Sequence, residues 1–245
     1  MILLVSCRNG LLSIDLAEEL YKRRFAVRRL PGLYDRNAKV SFRVDLSNAS
    51  SSYRLDTDTS ISGGEISGVF VQRDLFIQED RGGSHSYVNA EKEAATLGWI
   101  WSLRCPVINR YRPEFWFEPV GSLDYWRGRL ERFGLETERP REEGKAQCYL
   151  VCVIGSRVLW NHGVPERLRS IDNALVQFSG SVGLTYVEFC ISDSMSSPRV
   201  AKVQPFPRYD EFCPANRQEI ISELIFQLTT SENAVLARTG SDSWF

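Results

Sequence analysis

Met1–Ser6 is a short continuous apolar run, the pattern of a strand buried on both faces. Behind it, Leu16, Leu20 and Tyr21 recur at helical spacing through Arg24, with Ser13 placed as a cap. A second strand, Ala26–Leu30, stops at Pro31-Gly32, a turn signal. Strand, helix and strand with short joints make a βαβ unit, whose parallel pairing needs a crossover helix to cover the sheet. That opening commits the first half of the chain to an α/β layer structure.

The rest of that half extends the pattern. Val40–Leu46 alternates apolar and polar residues, Tyr53–Leu55 reads as a brief edge strand, and Ile66–Val71 as another buried strand. The Ser/Asn-rich stretch 47–52 and the Gly-containing stretch 80–86 read as loops. Asn89 is placed to cap a helix with Ala90, Ala94, Leu97 and Trp101 on its apolar face. Glu91 and Glu93 in its first turn would oppose the helix dipole. Pro106–Asn109 then reads as a short strand and Leu123–Phe133 as a helix.

Residues 136–145 are densely charged and carry a proline and a glycine, the composition of a surface connection. Cys148–Ile154 and Arg157–Trp160 flank Gly155-Ser156 as a hairpin. Pro165 suits the first turn of a helix bearing Leu168, Ile171, Leu175 and Phe178, and Tyr186–Ile191 and Arg199–Val203 read as strands. Asn216 and Glu219 have capping-box spacing ahead of Ile220, Ile221, Leu224, Ile225 and Leu228. The resulting organisation is an α/β domain over 1–120, built on a parallel sheet, followed by a smaller α+β domain over 121–245.

Charge and composition exclude several function classes. Thirty basic and thirty-one acidic residues give a net charge of −1, without the basic excess of a duplex-binding protein, so no nucleic-acid partner is expected. Apolar runs such as Tyr149–Ile154 fall far short of the roughly 20 residues of a membrane span, and a soluble, cytoplasmic chain with no membrane partner is expected. The six cysteines include no Cys-x-x-Cys pair, and Cys148 and Cys152 sit in an apolar run, so small buried hydrophobes are favoured over redox or metal roles. His85 and His162 lack the spacing of a zinc site. Neither a Walker loop nor Gly-x-Gly-x-x-Gly occurs, and the Gly82-Gly83-Ser84-His85 turn is a weak anion cradle.

Candidate binding residues come from placement. Arg73 and Asp74 follow the strand ending at Val71, and ligands of open parallel sheets gather at the carboxyl ends of strands. Downstream, Trp99, Trp101, Tyr111, Phe115, Trp116, Phe117, Tyr125 and Trp126 interleave with Arg104, Arg110, Arg112 and Arg127. Packing explains much of this cluster. Where it binds, the charge balance favours a peptide or protein over nucleic acid, with Arg110, Arg112 and Trp116 as contacts.

The order of segments resembles the ATP-grasp carboxylate–amine ligases, in particular the RimK-like ligases that modify ribosomal peptides. The resemblance runs through Ile66–Arg73, Glu91 to Pro106-Val107-Ile108-Asn109, Leu123 to Gly134-Leu135, Gly183–Phe189 and Ala201–Pro207. It covers most of the chain in order, at faint identity, and implies a pre-ATP-grasp-like domain followed by an ATP-grasp-C-like domain. It also implies a central lid whose lysines hold ATP, yet only Glu136–Gln147 lies where the lid belongs, so a truncated form is expected. The family's magnesium ligands would fall on Glu188, Lys202 and Gln204. Glu188 keeps a carboxylate, whereas Lys202 and Gln204 stand where an acid and an asparagine belong. A lysine ammonium repels a divalent cation.

The sequence therefore predicts a degenerate ATP-grasp-like protein needing no cofactor, acting as a binding or accessory subunit for a peptide or protein, in a homo- or hetero-oligomer. The alternative is an active ATP- and Mg-dependent ligase with an unorthodox or partner-completed site, Glu188 being its metal ligand. A sheet order foreign to the ligases would remove the resemblance altogether.

Overall fold

The computed structural model describes residues 1–5, 10–30, 40–45, 50–55, 59–72, 85–110, 122–138, 147–161, 163–193, 197–205 and 207–230. By contacts the chain divides into two compact units, Met1–Ile108 with Ile225–Phe245, and Asn109–Leu224.

The first unit is built on the predicted parallel sheet. β1 (Ile2–Val5) lies between β2 (Val27–Leu30) and β6 (Gly68–Val71), and β7 (Val107–Ile108) extends the sheet beyond β6, giving the order β2-β1-β6-β7. All of its pairings are parallel. β1 and β6 are buried along their whole length, as their unbroken apolar runs require. α1 (Leu11–Lys22) turns Leu12, Leu16, Ala17 and Leu20 inward. Its N-cap is Gly10, and Ser13 lies buried inside the helix instead of capping it. A second sheet of three antiparallel strands joins β3 (Val40–Asp45), β4 (Ser50–Leu55) and β5 (Thr59–Ser62). Ser50–Ser52, read from composition as loop, pair with Asp45–Arg43.

α2 (His85–Ser102) starts four residues before Asn89, so Asn89 is no cap and Glu91 lies well beyond the first turn. Its inward face also differs from the expected one. Thr96, Trp99 and Ile100 are buried, whereas Ala94 and Trp101 are exposed. Leu97 and Trp101 share helical spacing with Ala94, but so do Thr96, Trp99, Ile100 and Leu103, and the bulk of Trp99 with Ile100 decides the inward side. The last turn of α5 (Pro214–Thr229) belongs to this unit and crosses the start of β6 closely. A Cβ on Gly68 would lie 2.6 Å from the Leu228 carbonyl oxygen, so the glycine is what admits the crossing.

The second unit holds an antiparallel sheet of order β11-β10-β8-β9, comprising β8 (Cys148–Ile154), β9 (Arg157–Trp160), β10 (Tyr186–Asp193) and β11 (Pro198–Gln204). The predicted β8–β9 hairpin turns at Gly155, whose φ of 58° suits glycine. Residues Glu166–Ile171 form a 3-10 turn capped by Pro165 and run into α4 (Asp172–Ser181). Together with α3 (Leu123–Glu131), α4 covers one face of the sheet. There Trp126, Leu130, Leu175 and Phe178 meet Val151, Val153, Val187, Phe189 and Val203, all of them buried. Phe178 is the centre of this core, edge-on to Trp126 at 5.7 Å, Phe133 at 6.2 Å and Phe189 at 5.8 Å between ring centroids. Asn216 lies inside α5 and donates to the Trp160 carbonyl at 2.6 Å, so it anchors the helix to β9 instead of forming the expected capping box. No helix among the described residues is long and apolar enough to cross a membrane.

Candidate functional site

Side chains alternate along strands, so the face of the second sheet away from Phe178 carries Cys148, Leu150 and Cys152 of β8, Glu188 and Cys190 of β10, and Lys202 and Gln204 of β11. The register aligns them closely. Glu188 pairs with Gln204 on one side and Cys152 on the other, and Cys190 pairs with Lys202. The three positions the sequence singled out for a metal therefore share one face of two neighbouring strands.

Glu188 is only 1% exposed, and its carboxylate is taken up within the protein. The backbone N–H of Arg208 donates to Oε2 at 2.8 Å, and its guanidinium donates to Oε1 from Nη2 at 3.2 Å and from Nε at 3.4 Å. Arg208 also pairs with Glu211, one turn further along the 3-10 segment Tyr209–Glu211. Burial pushes the Glu188 carboxyl above its ordinary value; the Arg208 N–H and guanidinium pull it down and the Glu211 charge pushes it up again, with burial prevailing. Burial and the Glu188 charge likewise push the Cys152 thiol well up.

Asn109, directly after β7, fixes the same end of the sheet. Its Nδ2 donates to the carbonyls of Tyr186 at 2.6 Å and Pro205 at 3.3 Å, and its Oδ1 accepts from the Tyr186 N–H at 2.7 Å. One buried amide thus ties the start of β10 to the residue after β11, beside Glu188 and Gln204. Arg110 follows directly and is half-buried, which brings one predicted binding residue to this end of the sheet. Arg73, Asp74, Arg112 and Trp116 lie outside the described residues, as do the turn at 82–84 and His162.

Magnesium demands near-octahedral oxygen ligands, normally including carboxylates. The donor set here does not fit. The only carboxylate of the three positions already accepts three hydrogen bonds from Arg208, and the neighbouring positions offer an ammonium and a neutral amide. Among the described residues no group of three or more His, Cys, Asp and Glu side chains is placed to hold a metal ion. Sequence reasoning found Glu188 but missed Arg208 and the strapping role of Asn109. The nearest signal for Arg208 was its place just after Pro205–Pro207, where β11 has ended and the chain can turn back over the sheet.

The sequence matches no family model and none of the curated proteins. Solved structures match the fold. The macrocyclase MdnB of Microcystis aeruginosa MRC superposes with a TM-score of 0.70 at 15% identity, covering 93% of this chain and 98% of that one. The macrocyclase MdnC of the same organism, bound with precursor peptide MdnA, gives 0.68 at 12% identity over 92% and 99%. A Chryseobacterium gregarium RiPP-associated ATP-grasp ligase, in complex with ADP and a leader and core peptide, gives 0.64 at 12% identity over 98% and 97%. The chain shares the fold of these solved structures, with one parallel α/β sheet and one antiparallel sheet, in line with the order of its motifs.

Proposed function

We propose that this chain is a degenerate ATP-grasp-like protein that performs no ATP-dependent ligation, and that it binds a peptide or protein partner as an accessory subunit in peptide natural-product biosynthesis. The observation that carries this reading is the Glu188–Arg208 pair, a guanidinium held where the fold's metal chemistry needs a free carboxylate. Phosphoryl transfer rests almost wholly on positioning and on cationic clamping of the phosphates, so a site without metal ligands has little to run it on. No cofactor is required under this reading.

The length of the central connection supports it. Residues 136–138 are paired to the edge of β11, with the Val200 N–H donating to the Glu136 carbonyl at 2.8 Å and the Glu138 N–H to the Val200 carbonyl at 3.0 Å. The Gln147 carbonyl accepts from the Asp193 N–H at 3.2 Å as the chain enters β8. Between these anchors run eight residues, 139–146, which span at most about 29 Å fully extended. Passing from residue 138, outside the edge of β11, across β11 and β10 to β8 already takes about 14 Å of that reach. So short a connection supports the reading that the chain lacks a phosphate-clamping lid.

The peptide partner is supported by the solved relatives of the fold, two of which hold precursor or leader peptides. Arg73, Asp74, Arg110, Arg112 and Trp116 are the proposed contacts, and the balanced charge favours such a partner over nucleic acid. The proposed compartment is the cytoplasm, where ribosomal peptides are made. One observation favours a second reading, an active ligase completed by another chain: Glu188 keeps a carboxylate on the expected strand. An ADP-release assay with Mg-ATP and candidate precursor peptides separates the two. The proposed reading expects no release above the buffer rate. ADP release that falls on Glu188→Ala would establish the second.

A further inference from the structure

The helices α1, α3 and α4 end in the same way. After α3 the Gly134 N–H returns to the Glu131 carbonyl at 3.0 Å and the Leu135 N–H to the Leu130 carbonyl at 3.2 Å. After α4 the Gly183 N–H returns to the Gly180 carbonyl at 3.1 Å and the Leu184 N–H to that of Ser179 at 3.0 Å. After α1 the Arg24 N–H returns to the Tyr21 carbonyl at 2.9 Å and the Phe25 N–H to that of Leu20 at 3.0 Å. This paired closure puts one residue in the left-handed backbone region, where glycine is favoured because it has no Cβ to clash. Gly134 and Gly183 sit there with φ of 72° and 71°, and Leu135 and Leu184 behind them are buried. At the end of α1 the same place holds Arg24 at φ 64°, the only non-glycine of positive φ among the described residues. Behind it, Phe25 is 36% exposed. The chain keeps a strained arginine and an open aromatic ring where it twice elsewhere uses glycine and a buried leucine. Strain retained where a common residue would relieve it points to function.

The surroundings of Arg24 indicate which function. Residues 20–30 hold five cations, Lys22, Arg23, Arg24, Arg28 and Arg29, and no acidic residue. Glu19 takes up Arg23 at 3.0 Å and Lys22 at 3.6 Å, whereas the side chains of Arg24 and Arg28 have no partner among the described residues. Every residue of 21–26 is exposed. Tyr21, at 57%, is held in the open by its hydroxyl, which donates to the Val27 carbonyl at 3.3 Å beside the amino end of β2. One corner of the first unit thus presents two open aromatic rings among unpaired guanidinium groups. It lies at the opposite end of the parallel sheet from Val71, which Arg73 and Asp74 follow.

We propose that this corner is a docking surface for an acidic segment of a protein partner. Carboxylates of the segment pair with Arg24 and Arg28, whose forked donors suit them, and its apolar side chains cover Tyr21 and Phe25. Two free guanidinium groups match a short acidic stretch. A nucleic acid or an anionic bilayer is held by a wider basic field, which a net charge of −1 does not supply. The surface lies beyond the peptide contacts proposed above and is independent of ligase activity.

Fluorescence anisotropy of a labelled peptide of Glu and Leu residues, titrated with the full chain, tests this beside three controls: the same peptide with Gln for Glu, a single-stranded RNA, and phosphatidylserine vesicles. Saturable binding of the Glu peptide alone is expected, weakening as salt screens the exposed charges. Arg24→Gly and Arg28→Glu should each weaken it roughly tenfold, the loss of one charged contact. Arg24→Gly gives a second readout that a merely structural arginine would not. By relieving the left-handed strain it should raise the melting temperature by about 2 °C even as affinity falls. No binding of the Glu peptide, equal binding of the Gln peptide, tighter binding of the RNA or vesicles, or unchanged affinity in Arg24→Gly would each overturn the proposal. So would a lower melting temperature in Arg24→Gly, since the arginine would then be serving the helix end.

Discussion

Arg208→Met is expected to destabilise the Glu188 unit by about 3 kcal/mol at pH 8 and by less than ~1 kcal/mol at pH 4.5, the larger figure being typical of removing one partner from a buried ion pair. The pH dependence follows from the direction of the Glu188 shift. Burial raises this carboxyl above its ordinary value, so the folded chain holds its proton more tightly than the unfolded chain does. Ionising Glu188 therefore removes stability as the pH rises from the ordinary carboxyl range through the raised folded value. Arg208 limits that loss with its charge and its two guanidinium hydrogen bonds. Without the guanidinium the folded value moves higher still, and each further unit costs about 1.4 kcal/mol at a pH where the carboxyl must ionise. Below the ordinary carboxyl range Glu188 is protonated in both states and little of the penalty remains. Chemical denaturation at the two pH values reads this directly, and Glu188→Gln in the same background should recover most of the loss at pH 8. An equal loss at both pH values would show that Arg208 acts only through packing.

Phe178→Ala should cost about 4 kcal/mol, within the range of about 3–5 kcal/mol for emptying a buried aromatic site. Phe178 is fully buried and edge-on to three other rings, so its removal forfeits both transfer energy and ring contacts of roughly 0.5–1.5 kcal/mol a pair. Trp126 stands against it and makes tryptophan fluorescence a direct reporter in urea unfolding. Phe178→Leu, which keeps most of the volume, should lose much less. A cost below ~1 kcal/mol for the alanine variant would mean that α4 is not the element that seals this face of the sheet.

The parts of the fold visible in the sequence are those set by local chemistry. β1 and β6 announce themselves as apolar runs, and the β8–β9 hairpin by Gly155, whose backbone conformation suits glycine. What escaped was decided by tertiary contact. Ser50–Ser52 look like a loop because serine favours local side-chain to backbone bonds, yet pairing with β3 makes them a strand. α2 offered two competing apolar stripes, and only the core could choose Trp99 over Trp101. The same division holds at the site. Glu188, Lys202 and Gln204 were legible through the resemblance to the ATP-grasp ligases, and the antiparallel register of β10 and β11 places them on one face. Arg208 was not, since its partner lies 20 residues away and is reached only when the chain folds back after β11. Asn109 reaches 77 residues along the chain to Tyr186, a distance at which no sequence pattern operates.

Under the proposed function the Arg208 guanidinium occupies the Glu188 carboxylate that a metal would need, and the chain takes up no Mg-ATP. Thermal melting of the full chain with and without saturating Mg-ATP tests it most directly, because any ligand that binds only the folded state must raise the melting temperature. Superimposable curves are expected for the wild-type chain. A rise of several degrees that disappears in Glu188→Gln would contradict it.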